Sequence, residues 1–219
     1  MNQLTLNIAD RIPRTEAEGP GVRYALWLQG CPLRCPGCCN PHMLEFREAA
    51  RLSVHRLADE IAATDGIEGI TLLGGEPFSQ PRPLGELARR TRQLGLSVMV
   101  FSGHTLHQLR QREDAQLLLS ETDLLVDGPY LREQAVLDRR WIGSANQQVH
   151  FLSDRYAQLA DDRQGWDPGP NTIELRISDG RLRINGFPHP ELSALVESLA
   201  QAPTIGRAAR APAEDDAPQ

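Results

Sequence analysis

The sequence predicts an α/β fold carried on a parallel sheet, and three observations point there. Short apolar runs alternate with stretches whose apolar residues recur at helical spacing, each run stops at a glycine-bearing turn, and the alternation holds through four runs between Tyr24 and Val126.

Tyr24 to Gln29, entered from the turn Gly19-Pro20-Gly21, reads as a buried first strand, and a cysteine loop follows it directly. Val54, Leu57, Ala58, Ile61 and Ala62 then share one helical face. Ile70 to Leu73 makes a second strand ending in Gly74-Gly75. Pro83 to Leu94 is the next helix, with Leu84, Leu87, Ala88 and Leu94 on a common side, and Ser97 to Phe101 is a third strand broken by Ser102-Gly103. A helical stretch covers Leu106 to Leu119, and Asp123 to Val126 is a fourth strand stopped by Asp127-Gly128-Pro129. Right-handed crossovers bring the C-terminal ends of such strands to one face, where ligands bind.

Beyond this repeat, Gln147 to Leu152 reads as a fifth strand. Thr172 to Ile177 and Arg181 to Ile184 flank Asp179-Gly180, a two-residue hairpin signal. Ile173, Leu175 and Ile177 alternate with polar neighbours, and Leu182 and Ile184 repeat the pattern, so the hairpin has one apolar face that packing is expected to cover. Pro190 to Ala200 fits a final helix, and the Ala- and Pro-rich remainder has almost nothing to bury. The expected division is a core over 1–153, an extension of loop, hairpin and helix over 154–200, and a disordered tail over 201–219.

At 219 residues the chain can bury one sizeable core. With 23 Lys+Arg against 29 Asp+Glu the net charge is -6, and the basic residues are scattered, so no nucleic-acid partner is expected. The apolar runs fall far short of the ~18 residues a membrane span needs, and the N-terminus lacks the order of a secretory signal, so the expected compartment is the cytoplasm. The four cysteines all lie between positions 31 and 39, which speaks for metal rather than a disulfide framework.

Cys31, Cys35 and Cys38 form C-x3-C-x2-C, a spacing that lets three thiolates of one loop take three corners of a [4Fe-4S] cubane. The fourth iron then stays open to an exogenous ligand. The alternative is a tetrahedral zinc with Cys39 as fourth ligand, but adjacent Cys38 and Cys39 do not easily turn to one ion, and structural zinc sites usually pair two separated hooks. A buried small filler is the plainer role for Cys39. Gly74 and Gly75 let backbone oxygens approach a ligand closely, and Glu76 adds a carboxylate at the strand end. At Ser102-Gly103 and Asp127-Gly128, ligand contact and simple strand termination are both compatible with the sequence. His104 and His107 read as surface or capping residues.

Three cysteines at this spacing after a first strand, with a second strand ending in Gly-Gly-Glu, resemble the radical S-adenosylmethionine (SAM) superfamily. Gly19-Pro-Gly-Val-Arg23, Cys35-Pro-Gly-Cys38-x-Asn40, Gly74-Gly-Glu-Pro77, Val126-Asp-Gly128 and Trp141-Ile-Gly-Ser-Ala-Asn-Gln-Gln-Val-His150 are similar in order and spacing to anaerobic ribonucleoside-triphosphate reductase activating proteins, a glycyl radical enzyme activase group. The resemblance covers about residues 19–152. It implies an incomplete parallel β/α barrel of the radical SAM type, here with the hairpin and helix appended. It also implies a cluster on Cys31, Cys35 and Cys38, with SAM on the open iron against Gly37, Cys38, Cys39, Gly74, Gly75, Glu76 and Ser102. Reductive cleavage of SAM to a 5′-deoxyadenosyl radical would then raise a glycyl radical on a partner enzyme, with a one-electron donor such as flavodoxin or ferredoxin. The family commonly places an aromatic residue at the position of Cys39, so this chain departs from it there. Asn146 and Gln147 match the late motif and are candidates for a partner-facing surface. The alternatives are a radical SAM enzyme that modifies another protein, peptide or small molecule, and a single-cluster electron carrier.

Anaerobic reconstitution is expected to give a brown protein with about four irons per chain, lost on replacing Cys31, Cys35 or Cys38 by Ala and kept on replacing Cys39. Iron analysis and the visible spectrum check this; a colourless protein with one zinc overturns it.

Overall fold

The computed structural model describes residues 4–187 except 138, 161–170 and 179–180, together with residue 198. Strands β1 (Thr5–Thr15), β2 (Arg23–Leu28), β3 (Ala50–Ser53), β4 (Gly69–Gly74), β5 (Ser97–Phe101), β6 (Leu124–Asp127) and β7 (Gln148–Phe151) form one sheet in the order β3-β1-β2-β4-β5-β6-β7. The four central strands β2, β4, β5 and β6 are parallel. Each was an apolar run because it is covered on both faces: every residue of β2 is buried, as are five of the six in β4. Helices α1 (Val54–Ala62), α2 (Pro81–Gln93), α3 (Leu106–Arg110) and α4 (Gln116–Ser120) cover one face, where Leu57, Ile61, Leu84 and Leu118 meet Leu26, Leu72 and Val100. The Ser53 hydroxyl caps α1 by accepting from Arg56 N–H, and Thr105 with Gln108 forms a capping box on α3. On the other face, Ala25, Trp27 and Leu73 pack with Met43 below the cysteine loop, and Met99, Leu124 and Val126 pack with Trp141, Ile142 and Tyr156.

The structure shows a mixed α/β sheet with a parallel centre, and the sequence-based expectation needs three amendments. The outer strands are antiparallel: β1 to β2, β3 to β1, and the expected fifth strand, β7, to β6. The sequence did not announce β1 or β3. A register shift between Ile8 and Asp10 puts Ile8 on the helix face and Ile12 on the opposite one, so the two-residue alternation is broken mid-strand, and a second shift follows between Ile12 and Thr15. The helix expected over Leu106 to Leu119 is two helices joined by a 3-10 turn at Glu113–Ala115. There Arg112 clamps Asp114 at 3.0 and 2.8 Å, and the Gln116 amide donates to the carbonyls of Leu109, Arg110 and Arg112, capping the end of α3.

At the N-terminal ends of the parallel strands the guanidinium of Arg23 is fully buried. It donates to Thr71 Oγ1 at 3.1 Å, Ser97 Oγ at 2.6 Å, Tyr156 Oη at 3.0 Å and the Ile70 carbonyl, and Tyr156 in turn donates to Glu68. This network closes that end of the sheet with each of the three guanidinium nitrogens donating to a partner.

The hairpin is present as β8 (Ile173–Ser178) and β9 (Arg181–Gly186), with Ser178 opposite Arg181 as a two-residue turn requires. Its polar face, not its apolar one, is turned to the sheet, and the helix over Pro190 to Ala200, the other expected cover, lies outside the described residues. The polar face docks: Glu174 accepts from Glu16 N–H at 2.7 Å, Arg176 donates to the Arg14 carbonyl, and Asn185 donates to Thr15 at 2.8 Å and to Glu18 at 3.4 Å. The apolar face points outward, with Leu175, Ile177 and Leu182 exposed by 53%, 81% and 41%. Inversion follows from the docking surface, which offers backbone groups and a carboxylate rather than side-chain hydrocarbon. At the hairpin's ends Asn171 binds the backbone of Leu137, Arg139 and Trp141, and the Phe187 ring lies 6.0 Å from that of Phe101. The expected helix over Pro190 to Ala200 and the tail over 201–219 lie outside the described residues.

Burial raises the Glu18 carboxyl from 4.5 to about 7, although the Gly186 N–H and the Asn185 amide favour its ionised form. Between those values the folded protein holds a proton that the unfolded chain has lost. Stability therefore falls as pH rises from about 4.5 to about 7, by roughly 3 kcal/mol from this group, and stays low above it. Urea unfolding on either side of the window should show that loss in the parent and not in Glu18→Gln; equal pH dependence overturns the assignment.

Candidate functional site

The cysteine loop leaves the C-terminal end of β2 and is held from below by its own return: Gly30 N–H donates to the Met43 carbonyl at 2.9 Å and Cys31 N–H to the Leu44 carbonyl at 3.0 Å. Cys31 is buried, Cys35 and Cys38 are half-buried and Cys39 is exposed. Burial raises the Cys31 thiol while the N–H groups of Leu33 and Arg34 act on its sulfur in the opposite sense. The Cys39 thiol donates to Cys38, lowering Cys38 to about 6 and raising Cys39. Asn40 N–H adds a contact to Cys38 Sγ at 3.4 Å. Amides aimed at sulfur stabilise thiolates and tune a cluster they hold. Among the described residues no three His, Cys, Asp or Glu side chains meet at a single ion; a cubane asks for no such point, because each thiolate takes a different iron.

The end of β4 is stitched to the base of this loop. Gly75 N–H donates to the Leu28 carbonyl at 2.8 Å and Glu76 N–H to the Gly30 carbonyl at 2.9 Å. A Cβ on Gly75 would lie 2.4 Å from the Gly30 oxygen, so a side chain there would push the loop away. Glu76 is buried, and its carboxylate accepts from Phe78 N–H, Ser102 Oγ and Gly103 N–H, each at 2.9 Å. Burial raises its pKa in spite of these bonds. Glu76 and Ser102, two predicted site residues, are thus brought into contact, and the carboxylate joins the ends of β4 and β5. Ser102 also accepts from His104 N–H at 3.0 Å.

Gly37 sits in the left-handed region at φ +79°, on the exposed side of the loop. Tyr130 and Arg132, from the connection after β6, lie against it. Asp127 turns toward α3, where it accepts from Leu106 N–H and lies 2.9 Å from His150 Nε2. Asn146 donates to the Pro129 carbonyl at 2.7 Å, and Gln147 donates to the Gly128 carbonyl at 3.0 Å while accepting from Gly143 and Ser144 N–H. The late motif therefore folds back on the strand end that precedes it. His107 is exposed and bound to Gln111, apart from the loop. Tyr130 was not among the sequence candidates, although its place two residues after Gly128 put an aromatic ring at a strand end.

Glu76→Ala leaves two N–H groups and a buried hydroxyl without their acceptor and should cost about 3 kcal/mol or more. Urea unfolding measures it, with Glu76→Gln closer to the parent; an unchanged midpoint for Glu76→Ala shows that the carboxylate does not join the strand ends.

Residues 17–150 match the family described as a 4Fe-4S single cluster domain. The anaerobic ribonucleoside-triphosphate reductase-activating protein of Vibrio cholerae is 30% identical over 155 residues, spanning 66% of this chain and 97% of that protein. Its counterparts in Escherichia coli K12 and phage T4 are 25% and 28% identical, over 67% and 66% of this chain and 99% and 94% of their own. The crystal structure of QueE from Escherichia coli aligns over 46% of this chain and 53% of that one, with a TM-score of 0.40 and 21% identity. A match over residues 17–150, on a cysteine loop seated at the ends of parallel strands, places this chain in the 4Fe-4S single cluster family, among the relatives of the anaerobic ribonucleoside-triphosphate reductase-activating proteins.

Proposed function

We propose that the chain is a radical SAM activase: it holds a [4Fe-4S] cluster on Cys31, Cys35 and Cys38, binds SAM at the open iron, and raises a glycyl radical on an anaerobic ribonucleotide reductase. The observation that carries this is the junction of the cysteine loop with Gly75 and Glu76, which sets a side-chain-free strand end beside three thiols. Cys31, Cys35 and Cys38 would hold the cluster, which when bound would supply the one-electron reduction that cleaves SAM.

The chain's residues bind and orient. The Cys39 thiol and then the Asn40 amide favour thiolate at Cys38, while at Cys31 burial outweighs the amides of Leu33 and Arg34 and raises the thiol. Gly74 and Gly75 leave backbone for the methionyl end of SAM, and Glu76 holds that strand end against Ser102 and Gly103. Trp27, Met43 and Leu73 beneath the loop keep water from that side. The sheet with its parallel centre is the scaffold of an incomplete barrel, Gly37 and Cys39 border the adenine, and a small one-electron carrier such as flavodoxin or ferredoxin is the donor. The working compartment is the cytoplasm. No described helix is long and apolar enough to cross a membrane. The hairpin lies outside the matched residues 17–150, which favours as a second reading a target other than the reductase.

The reduced, reconstituted protein is expected to convert SAM slowly to methionine and 5′-deoxyadenosine alone, and to give a glycyl radical signal by electron paramagnetic resonance when an anaerobic ribonucleotide reductase is added. No cleavage overturns the chemistry; cleavage without the radical signal moves the target to another protein.

A further inference from the structure

The loop Cys31-Pro-Leu-Arg-Cys-Pro-Gly-Cys-Cys39 carries no aromatic side chain, yet a flat purine beside the open iron needs a flat surface. The structure places one there from a different part of the chain. A Cβ on Gly37 would lie 3.4 Å from Tyr130 Cε1 and 3.4 Å from Arg132 Cδ. A Cβ on Gly143 would lie 3.2 Å from Tyr130 Cδ2 and 3.5 Å from Cε2. The ring thus lies next to two residues that have no side chains, one in the cysteine loop and one in the late motif. Tyr130 is half-buried, so part of the ring stays open, and it follows the end of β6 on the face where Gly75 and Ser102 end their strands. The other ring at the loop, Phe46, lies over Gly30 at the Cys31 end and is 65% exposed.

We propose that Tyr130 is the surface on which the adenine of SAM lies, supplying from the β6 connection the aromatic ring that positions 37 and 39 lack. This rests on the SAM-binding reading above. Glycine at 37 suits its left-handed backbone, and without a side chain there the edge of the ring stays next to the cysteine loop.

The test uses full-length reconstituted protein and follows iron content, the resonance of the reduced cluster, and binding of SAM, S-adenosylhomocysteine and free methionine by calorimetry. Tyr130→Ala should weaken both adenosyl ligands by about tenfold or more, with Tyr130→Phe and Phe46→Ala staying within about twofold of the parent. Methionine, which has no purine, should perturb the cluster resonance equally in parent and Tyr130→Ala, at equal iron content. Parallel loss of methionine and SAM binding in Tyr130→Ala would show that the ring only props the loop, and undiminished SAM binding would show that it does not touch the purine; either overturns the proposal. Absence of SAM binding by the parent protein overturns this proposal together with the function it rests on.

Discussion

The site depends on one buried carboxylate. Glu76 lies at the point where β4 ends, binds the base of the cysteine loop through its N–H and gathers Phe78, Ser102 and Gly103 around its oxygens. A buried carboxylate is costly unless its lone pairs are filled, and here three donors fill them. In exchange the ends of β2, β4 and β5 are fixed relative to one another within hydrogen-bond tolerance. Three thiols on a mobile loop would hold no fixed geometry; this loop is tied to that junction.

The opposite end of the sheet is closed by a different device. Arg23 reaches Thr71, Ser97 and Tyr156, so a strand, its neighbours and the segment after β7 share one buried cation. The hairpin adds polar contacts along Arg14 to Glu18, and Phe187 adds a ring against Phe101. Residues beyond the matched region thus complete the packing of strands within it, with the hairpin's hydrocarbon left on the outside.

Much of this was legible in the sequence where one physical rule dominated. Strands buried on both faces read as unbroken apolar runs, and β2, β4, β5 and β6 fall within a residue or two of their expected bounds. The cysteine spacing identified the loop because few arrangements need three thiols so close. Legibility failed where long-range contacts decide. The bulges of β1 scramble its alternation, and the carbonyls that Gln116 caps end α3 inside an apolar pattern that would otherwise continue. The hairpin pattern was visible but its docking face was not, since that depends on Thr15 and Glu18 being the surface it meets. Glu76 read as a carboxylate at the strand end, and the donors that meet it from Phe78, Ser102 and Gly103 could not be read from the sequence. Tyr130 was marked only as an aromatic ring at a strand end, since its glycine neighbours Gly37 and Gly143 lie far from it along the chain or across a turn.

The contact between Gly186 and Glu18 joins residues separated by 168 positions. Closing so long a loop is slow relative to pairing neighbouring strands, and it must await the synthesis of Gly186. The N-terminal segment before β2 therefore gains these partners only after the hairpin has been made. The central strands and their helices can form meanwhile from near neighbours in sequence. A polypeptide interrupted before the hairpin would keep the cysteine loop while leaving the Arg14 to Glu18 edge open to pairing with other chains.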